Sequence, residues 1–258
     1  MISIKKNIKG FLNKIKIGEK ILNDPYFIAT KKSTQSELSK IPGRTEIINF
    51  LLSLTEAENY LEIGVRNPND NFININCINK FSVDPGVEFK INPVDFKLTS
   101  DEFFEKLSQN NLEKITNNIK FDLIFIDGLH ISTQTEKDII NSLNYIKNSG
   151  FIVLHDCNPP TEFHQRENYY FRNSPAEGYW NGTTWKAFYK FRHLPDLYSI
   201  CFDTDWGIGV LSKKEHPFFN NIKDGRSNEF YEYHLLNENR IEYLNLQLFE
   251  EWMEKAKK

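Results

Sequence analysis

Cysteine is scarce in this chain, with three in 258 residues. Cys77, Cys157 and Cys201 are odd in number, far apart and without metal-type spacing, so no disulfide framework is implied and a reduced, cytoplasmic compartment is expected. No apolar run reaches the roughly 18 residues that span a bilayer, so no transmembrane segment is expected. The N-terminus also lacks the uninterrupted apolar core of a signal peptide. Neither sign of charge is in excess, since 32 Lys and Arg stand against 35 Asp and Glu for a net of -3. That balance gives no electrostatic case for a nucleic-acid partner and fits a small-molecule or glycan substrate. Internal repeats and low-complexity tracts are absent as well.

What is present is enough chain to bury one sizeable core with terminal additions. A helical extension is expected over residues 1–43, a main domain over 44–215 and a second helical extension over 216–258. In the first segment Ile4, Ile8, Phe11 and Ile15 recur at helical spacing, while Lys5, Lys6, Lys9, Lys14 and Lys16 supply positive charge. This stripe is expected to pack on the domain or on a second subunit of a homo-oligomer. A helix lying on an anionic membrane is the alternative.

A polar stretch around residues 31–39 leads to helical periodicity over 44–54. Residues 60–65 then read as a short buried strand. A second strand, 80–83, ends in Asp84-Pro85-Gly86, where proline and glycine turn the chain. A third is expected over 94–98, before Thr99-Ser100-Asp101, side chains suited to cap a helix carrying Phe103, Phe104 and Leu107. The near-continuous apolar run 121–126 ends at Asp127-Gly128, and Ile139, Ile140, Leu143 and Ile146 mark the next helix. Residues 151–154 form another strand, ending at His155-Asp156-Cys157-Asn158. Residues 159–181 are aromatic and aperiodic, which predicts an irregular substrate-facing loop. A helix follows, capped by Thr183 or Thr184. Residues 197–202 and 206–211 then read as an antiparallel hairpin.

Strand and helix alternating over about 30 residues per unit indicate α/β architecture, a doubly wound, Rossmann-like, mostly parallel sheet with a terminal hairpin. Asp84, Asp127 and Asp156 all fall just past a strand's carboxyl end, where such sheets bind ligands. The segment Leu61-Glu62-Ile63-Gly64-Val65 resembles the first motif of class I S-adenosylmethionine-dependent methyltransferases, although Pro68 replaces the next glycine of that motif. The motifs Phe121-Asp122-Leu123-Ile124-Phe125-Ile126-Asp127-Gly128-Leu129-His130 and Gly150-Phe151-Ile152-Val153-Leu154-His155-Asp156 are similar to those of metal-assisted O-methyltransferases of the macrolide-sugar type.

That resemblance implies S-adenosylmethionine as cofactor, held by Glu62, Gly64, Val65, Asp84, Ser100, Asp101 and Asp127. It implies a divalent cation, Mg or Mn, on Asp127 and Asp156, with His155 as a further ligand, and His130 with Asp127 as catalytic residues. Cys157 stands where the more distant catechol enzymes have an amide ligand. Oxygen donors at adjacent strand ends suit a hard cation that lowers an acceptor hydroxyl's pKa, and an imidazole suits the proton transfer. The bland readings are that Glu62 and Asp84 cap helices, that Asp127 and Asp156 form turns, and that the loop aromatics pack a lid. Two other functions stay open: a non-catalytic nucleotide- or S-adenosylmethionine-binding protein of the same fold, and an NAD-dependent enzyme lacking the usual G-x-G-x-x-G.

Overall fold

Side chains on a strand alternate between the two faces of its sheet, so a strand apolar throughout must be covered on both sides. The structure, a computed structural model, describes residues 2–88, 91–221 and 227–256, with side chains from residue 8 onward. Its strands are β1 (Asn59–Ile63), β2 (Asn79–Val83), β3 (Phe121–Ile126), β4 (Ile146–Leu154), β5 (Tyr198–Phe202), β6 (Ile208–Ser212) and β7 (Leu246–Gln247). Its helices are α1 (Ile2–Leu22), α2 (Pro25–Leu38), α3 (Arg44–Ser53), α4 (Ser100–Ser108), α5 (Ser132–Tyr145), α6 (Thr184–Phe191), α7 (Tyr233–Glu238), α8 (Arg240–Leu244) and α9 (Phe249–Ala256). In β3 and β4, Ile124, Ile126, Ile152 and Leu154 join a core with Phe103 and Phe104 of α4, Ile139 of α5 and Phe188 of α6. Their neighbours Leu123, Phe125, Phe151 and Val153 pack on the opposite face, against Ile47 and Leu51 of α3 and Trp252 of α9.

The seven strands run in the order β2-β1-β3-β4-β6-β5-β7. β2, β1, β3 and β4 are parallel, and β6 is antiparallel to both β4 and β5. The expected doubly wound sheet with its hairpin is therefore present. From β1 the chain builds outward to β2 and then returns to lay β3 on the other side. This reversal opens a crevice between the carboxyl ends of β1 and β3.

Several expectations need correction. Residues 94–98 form no strand, and only Phe96 bridges to Val83. Next to it the Asp95 carboxylate accepts the Ser82 N–H at 3.1 Å and the Ser82 hydroxyl at 2.8 Å, which removes a group that a further strand would pair with. The polar stretch before residue 39 is α2, started by Asp24, whose carboxylate accepts from the amides of Tyr26 and Phe27, and by Pro25 in the first turn. The stripe on α1 does not pack on the domain: Ile8, Phe11 and Ile15 are 52%, 63% and 42% exposed. Pro25 interrupts the helix, and Thr30, Thr34 and Glu37 of α2 are the residues that become buried. Ile4, Lys5 and Lys6 have side chains outside the described residues. Beyond the end of β6 at Ser212, the C-terminal segment contributes β7 to the sheet and Phe249 and Trp252 to the core. No helix among the described residues is long and apolar enough to cross a membrane.

Candidate active site

Gly64 closes β1 with φ +91°, and a Cβ there would collide with the Asp127 carbonyl group and Gly128 Cα. Only glycine lets the β1 and β3 ends approach this closely, and the approach is fixed by the Asp127 N–H donating to Ile63 O at 2.9 Å. Glu62 lies just beneath, buried, its Oε2 accepting from the Tyr60 hydroxyl at 2.6 Å and Asn71 Nδ2 at 2.8 Å. Burial raises the Glu62 carboxyl to about 7 against the opposing pull of these two hydrogen bonds. Val65 is buried, and its carbonyl accepts from Asn92 Nδ2 at 3.2 Å. The same amide nitrogen donates to Asp84 Oδ1 at 2.8 Å, and the Gly86 N–H adds a second bond at 2.6 Å. Burial raises the Asp84 carboxyl, opposed by these bonds. Asn92 Oδ1, beside it, is buried and has no hydrogen-bond partner among the described residues.

A second group of polar residues stands at the ends of β3 and β4. His130 places Nε2 3.3 Å from Asp127 Oδ1 and Nδ1 3.0 Å from Asp156 Oδ2. Its ring stacks on Trp180 at 5.1 Å between centroids, and Nδ1 also lies 3.0 Å from the Trp180 carbonyl. Burial alone would lower the His130 pKa, but Asp156 and Asp127 outweigh it and raise the value to about 9. His155 is enclosed similarly, with Nδ1 3.2 Å from Asp127 Oδ1 and 3.1 Å from Asp156 Oδ2, and Nε2 3.2 Å from Asp205 Oδ1. Its pKa is also raised, the same carboxylates overcoming burial. Asp156 has φ +62°, a left-handed backbone unusual for a residue with a side chain, and Asn181 Nδ2 donates to its Oδ1 at 2.8 Å.

Arg44, the first residue of α3, enters this group from above. Its Nη1 donates to Asp127 Oδ2 at 3.1 Å and contacts the His155 ring at 2.9 Å, while its backbone N–H donates to Asp205 Oδ2 at 2.7 Å. Burial raises the Asp127 carboxyl, yet His155, Arg44 and His130 together hold it well below the ordinary carboxylate range. Asp205 is brought to about 2, with His155 and Arg44 overcoming burial. The β5–β6 turn supplying Asp205 is itself strained, since Asp205 and Trp206 have φ of 45° and 66°. It is held by α2, where Glu37 Oε1 accepts the Trp206 N–H at 2.8 Å.

The structure thus brings together Asp127, His130, His155 and Asp156, and places Glu62, Gly64, Val65 and Asp84 around the adjoining crevice. Ser100 and Asp101 are occupied elsewhere: Gln134 Nε2 donates to both, at 3.1 Å and 2.9 Å, and Asp101 pairs with Lys137 at 2.8 Å, tying α4 to α5. The catechol-type ligand position falls on Cys157, whose thiol is buried and turned toward the Leu154 and His155 carbonyls. Arg44, Asp205 and Asn181 were not read from the sequence as site residues. In sequence Arg44 reads only as a helix start and Asp205 only as a turn former.

Residues 83–157, which contain Asp84, Asp127, His130 and Asp156, match the family described as a methyltransferase domain. Over that segment the methyltransferase resemblance of the sequence is borne out. Among solved structures, the chain is similar to an O-methyltransferase of Bacillus cereus in complex with S-adenosylhomocysteine. The identity is 14%, covering 77% of this chain and 97% of that one, with a TM-score of 0.44. It is likewise similar to the S-adenosylhomocysteine-bound methyltransferase PaMTH1 of Podospora anserina, at 14% identity over 79% and 96% of the two chains, TM-score 0.44. A third is an O-methyltransferase of Streptomyces achromogenes involved in tomaymycin synthesis, at 10% identity over 77% and 95%, TM-score 0.39. No curated protein matches the chain. The case for its chemistry therefore rests on its own residues.

Proposed function

We propose that the protein transfers a methyl group from S-adenosylmethionine to a hydroxyl of a sugar or other small hydroxylated molecule. The observation that carries this reading is the glycine-closed crevice at the β1/β3 reversal, with Asp84 on one side and the Asp127–His130–Asp156 group on the other. The crevice residues fit the cofactor. Gly64 lets the β1 and β3 ends close together where a Cβ would collide with the Asp127 backbone, Asp84 offers a carboxylate to a ribose, and Asn92 Oδ1, with no partner among the described residues, is an acceptor next to it. Ser100 and Asp101, tied to α5, would meet the cofactor only through the outer wall of the crevice.

The reaction forms an O–CH3 bond and breaks an S–CH3 bond, turning a sulfonium into a thioether, and the acceptor's proton must go to a base. His130 is placed for it, and stacking on Trp180 fixes the plane of the ring. The donor set also fits a divalent cation, since Asp127, His130 and Asp156 each offer a ligand atom within 4.8 Å of the others. Held by Asp127 and Asp156, such an ion would supply Lewis-acid polarisation of the acceptor hydroxyl. Those two carboxylates raise the His130 pKa to about 9, and a cation that took up their charge would bring it back toward the range of a base. In our reading His130 keeps its imidazole for the proton. His155, with Nε2 directed to Asp205 and Arg44, orients the carboxylates instead of completing the ligand set. The three cysteines are unpaired, which supports a cytoplasmic setting.

Calorimetric titration with S-adenosylmethionine and S-adenosylhomocysteine, with and without Mg²⁺ or Mn²⁺, tests the assignment. Saturable binding of both is expected. Binding of NAD with neither of these would replace it with a dehydrogenase reading, and binding without turnover on any hydroxylated acceptor would leave a non-catalytic carrier.

A further inference from the structure

The amphipathic helix α1 has no part in the site. Ile8, Phe11, Leu12, Ile15 and Leu22 fall within an arc of about 100° at the helical repeat, and all five are exposed. Lys9, Lys16 and Lys20 border that arc on one side, and Lys14 flanks it on the other. Over its whole length α1 holds six lysines and one acid, Glu19, which falls inside the arc in the helix's last turn. Ile17 and Ile21 lie off the main arc and are exposed too. None of Lys9, Lys14, Lys16 and Lys20 forms an ion pair among the described residues. No described residue of α1 is buried, and burial begins at Thr30 of α2.

A strip of large apolar side chains left in water costs free energy until something covers it, and its lysine border selects what that can be. Two copies of α1 laid face to face would set their lysine rows side by side, with only Glu19 from each to compensate, so self-pairing is electrostatically opposed. An anionic lipid surface satisfies both halves of the pattern. Acyl chains take the apolar arc, and phosphate headgroups take lysines that snorkel along the helix sides. We infer that α1 lies in the plane of an anionic membrane, apolar arc inward, and holds the catalytic body at the lipid surface. The helix is about 30 Å long at 1.5 Å per residue, and it lies on the surface without crossing it.

The test uses the full chain and sucrose-loaded vesicles of phosphatidylcholine containing about one-third phosphatidylglycerol, with pure phosphatidylcholine vesicles in parallel. The protein is expected to sediment with the anionic vesicles and to be released by salt. Exchanging Lys9, Lys16 and Lys20 together for Gln should weaken partitioning on the order of 100-fold. Phe11→Ser with Ile15→Ser should abolish it while leaving the lysines and the thermal unfolding of the body unchanged. Failure to sediment with anionic vesicles at low salt would overturn the inference. So would equal binding to both vesicle types, or a dimer by light scattering that Phe11→Ser dissociates and vesicles do not compete for, which would assign the face to a second copy.

Discussion

His164 joins the N-terminal helices to the loop over the site, and its protonation should undo that joint. The ring is fully buried, with Nε2 3.1 Å from Thr34 Oγ1 on α2 and Nδ1 2.9 Å from Thr161 Oγ1. Thr34 donates its own hydroxyl hydrogen to the Thr30 carbonyl at 3.0 Å. His164 therefore carries its proton on Nε2 and accepts from Thr161 on Nδ1. Burial, reinforced by Arg166, lowers the pKa from 6.5 to about 4. Because the folded value lies below the unfolded one, the stability held by the neutral ring is complete above pH 6.5 and is lost as pH falls through 4. The full gap corresponds to about 3 kcal/mol, of which about 2.5 kcal/mol is gone by pH 4.5. Other groups titrate in the same range, so the comparison is with His164→Gln, which keeps a donor and an acceptor and cannot titrate. Urea unfolding followed by circular dichroism at pH 7 and pH 4.5 should show wild type losing about 2.5 kcal/mol more than the variant. An identical pH dependence in both proteins would refute the argument.

The crevice and the ionic group lead to two further expectations. Gly64→Ala forces a Cβ onto the Asp127 carbonyl at a backbone φ that disfavours it, so S-adenosylmethionine binding by calorimetry should disappear; retained affinity would remove this crevice as the cofactor site. His130→Ala should lower kcat by about 10²- to 10⁴-fold with little change in S-adenosylmethionine affinity. If His130 acts on the proton, Mn²⁺ affinity measured by electron paramagnetic resonance should survive the substitution, whereas its loss would make His130 a ligand.

The residues legible in the sequence share one property, which is that the chain announces them locally. Asp127 ends the apolar run of β3 and Asp156 the run of β4, so each could be placed at a strand end from its neighbours alone. Residues 94–98 misled because alternation cannot reveal that Asp95 takes the Ser82 N–H. The helix α2 escaped an apolar periodicity search because the residues it buries are Thr30, Thr34 and Glu37. Arg44 and Asp205 are joined to the centre by bonds across 83 and 161 positions of sequence, and no local pattern encodes such a distance. Ser100 and Asp101 were correctly seen at a helix start, but the same carboxylate that suits a cofactor also suits Lys137.

Charge explains why the N-terminal segment is so closely bound to the centre. Asp127, Asp156 and Asp205 bring three carboxylates to adjacent strand ends, and isolated buried carboxylates would protonate or pull the loops apart. Their pull raises the pKa of both His130 and His155, and Arg44 adds a fixed positive charge against Asp127. The guanidinium is held there by its own backbone, since the Arg44 N–H donates to Asp205. Lys40 meanwhile binds Asp203 at 2.7 Å, and Glu37 bonds the Trp206 amide, so α2 and the start of α3 grip the whole β5–β6 turn. The strained φ values of Asp205 and Trp206 persist because this grip over-determines them. The segment before residue 44 is therefore two parts with separate physics. One part, from α2 to the start of α3, is tied by ion pairs and hydrogen bonds to the turn that carries Asp205, and the other, α1, makes no such bond among the described residues.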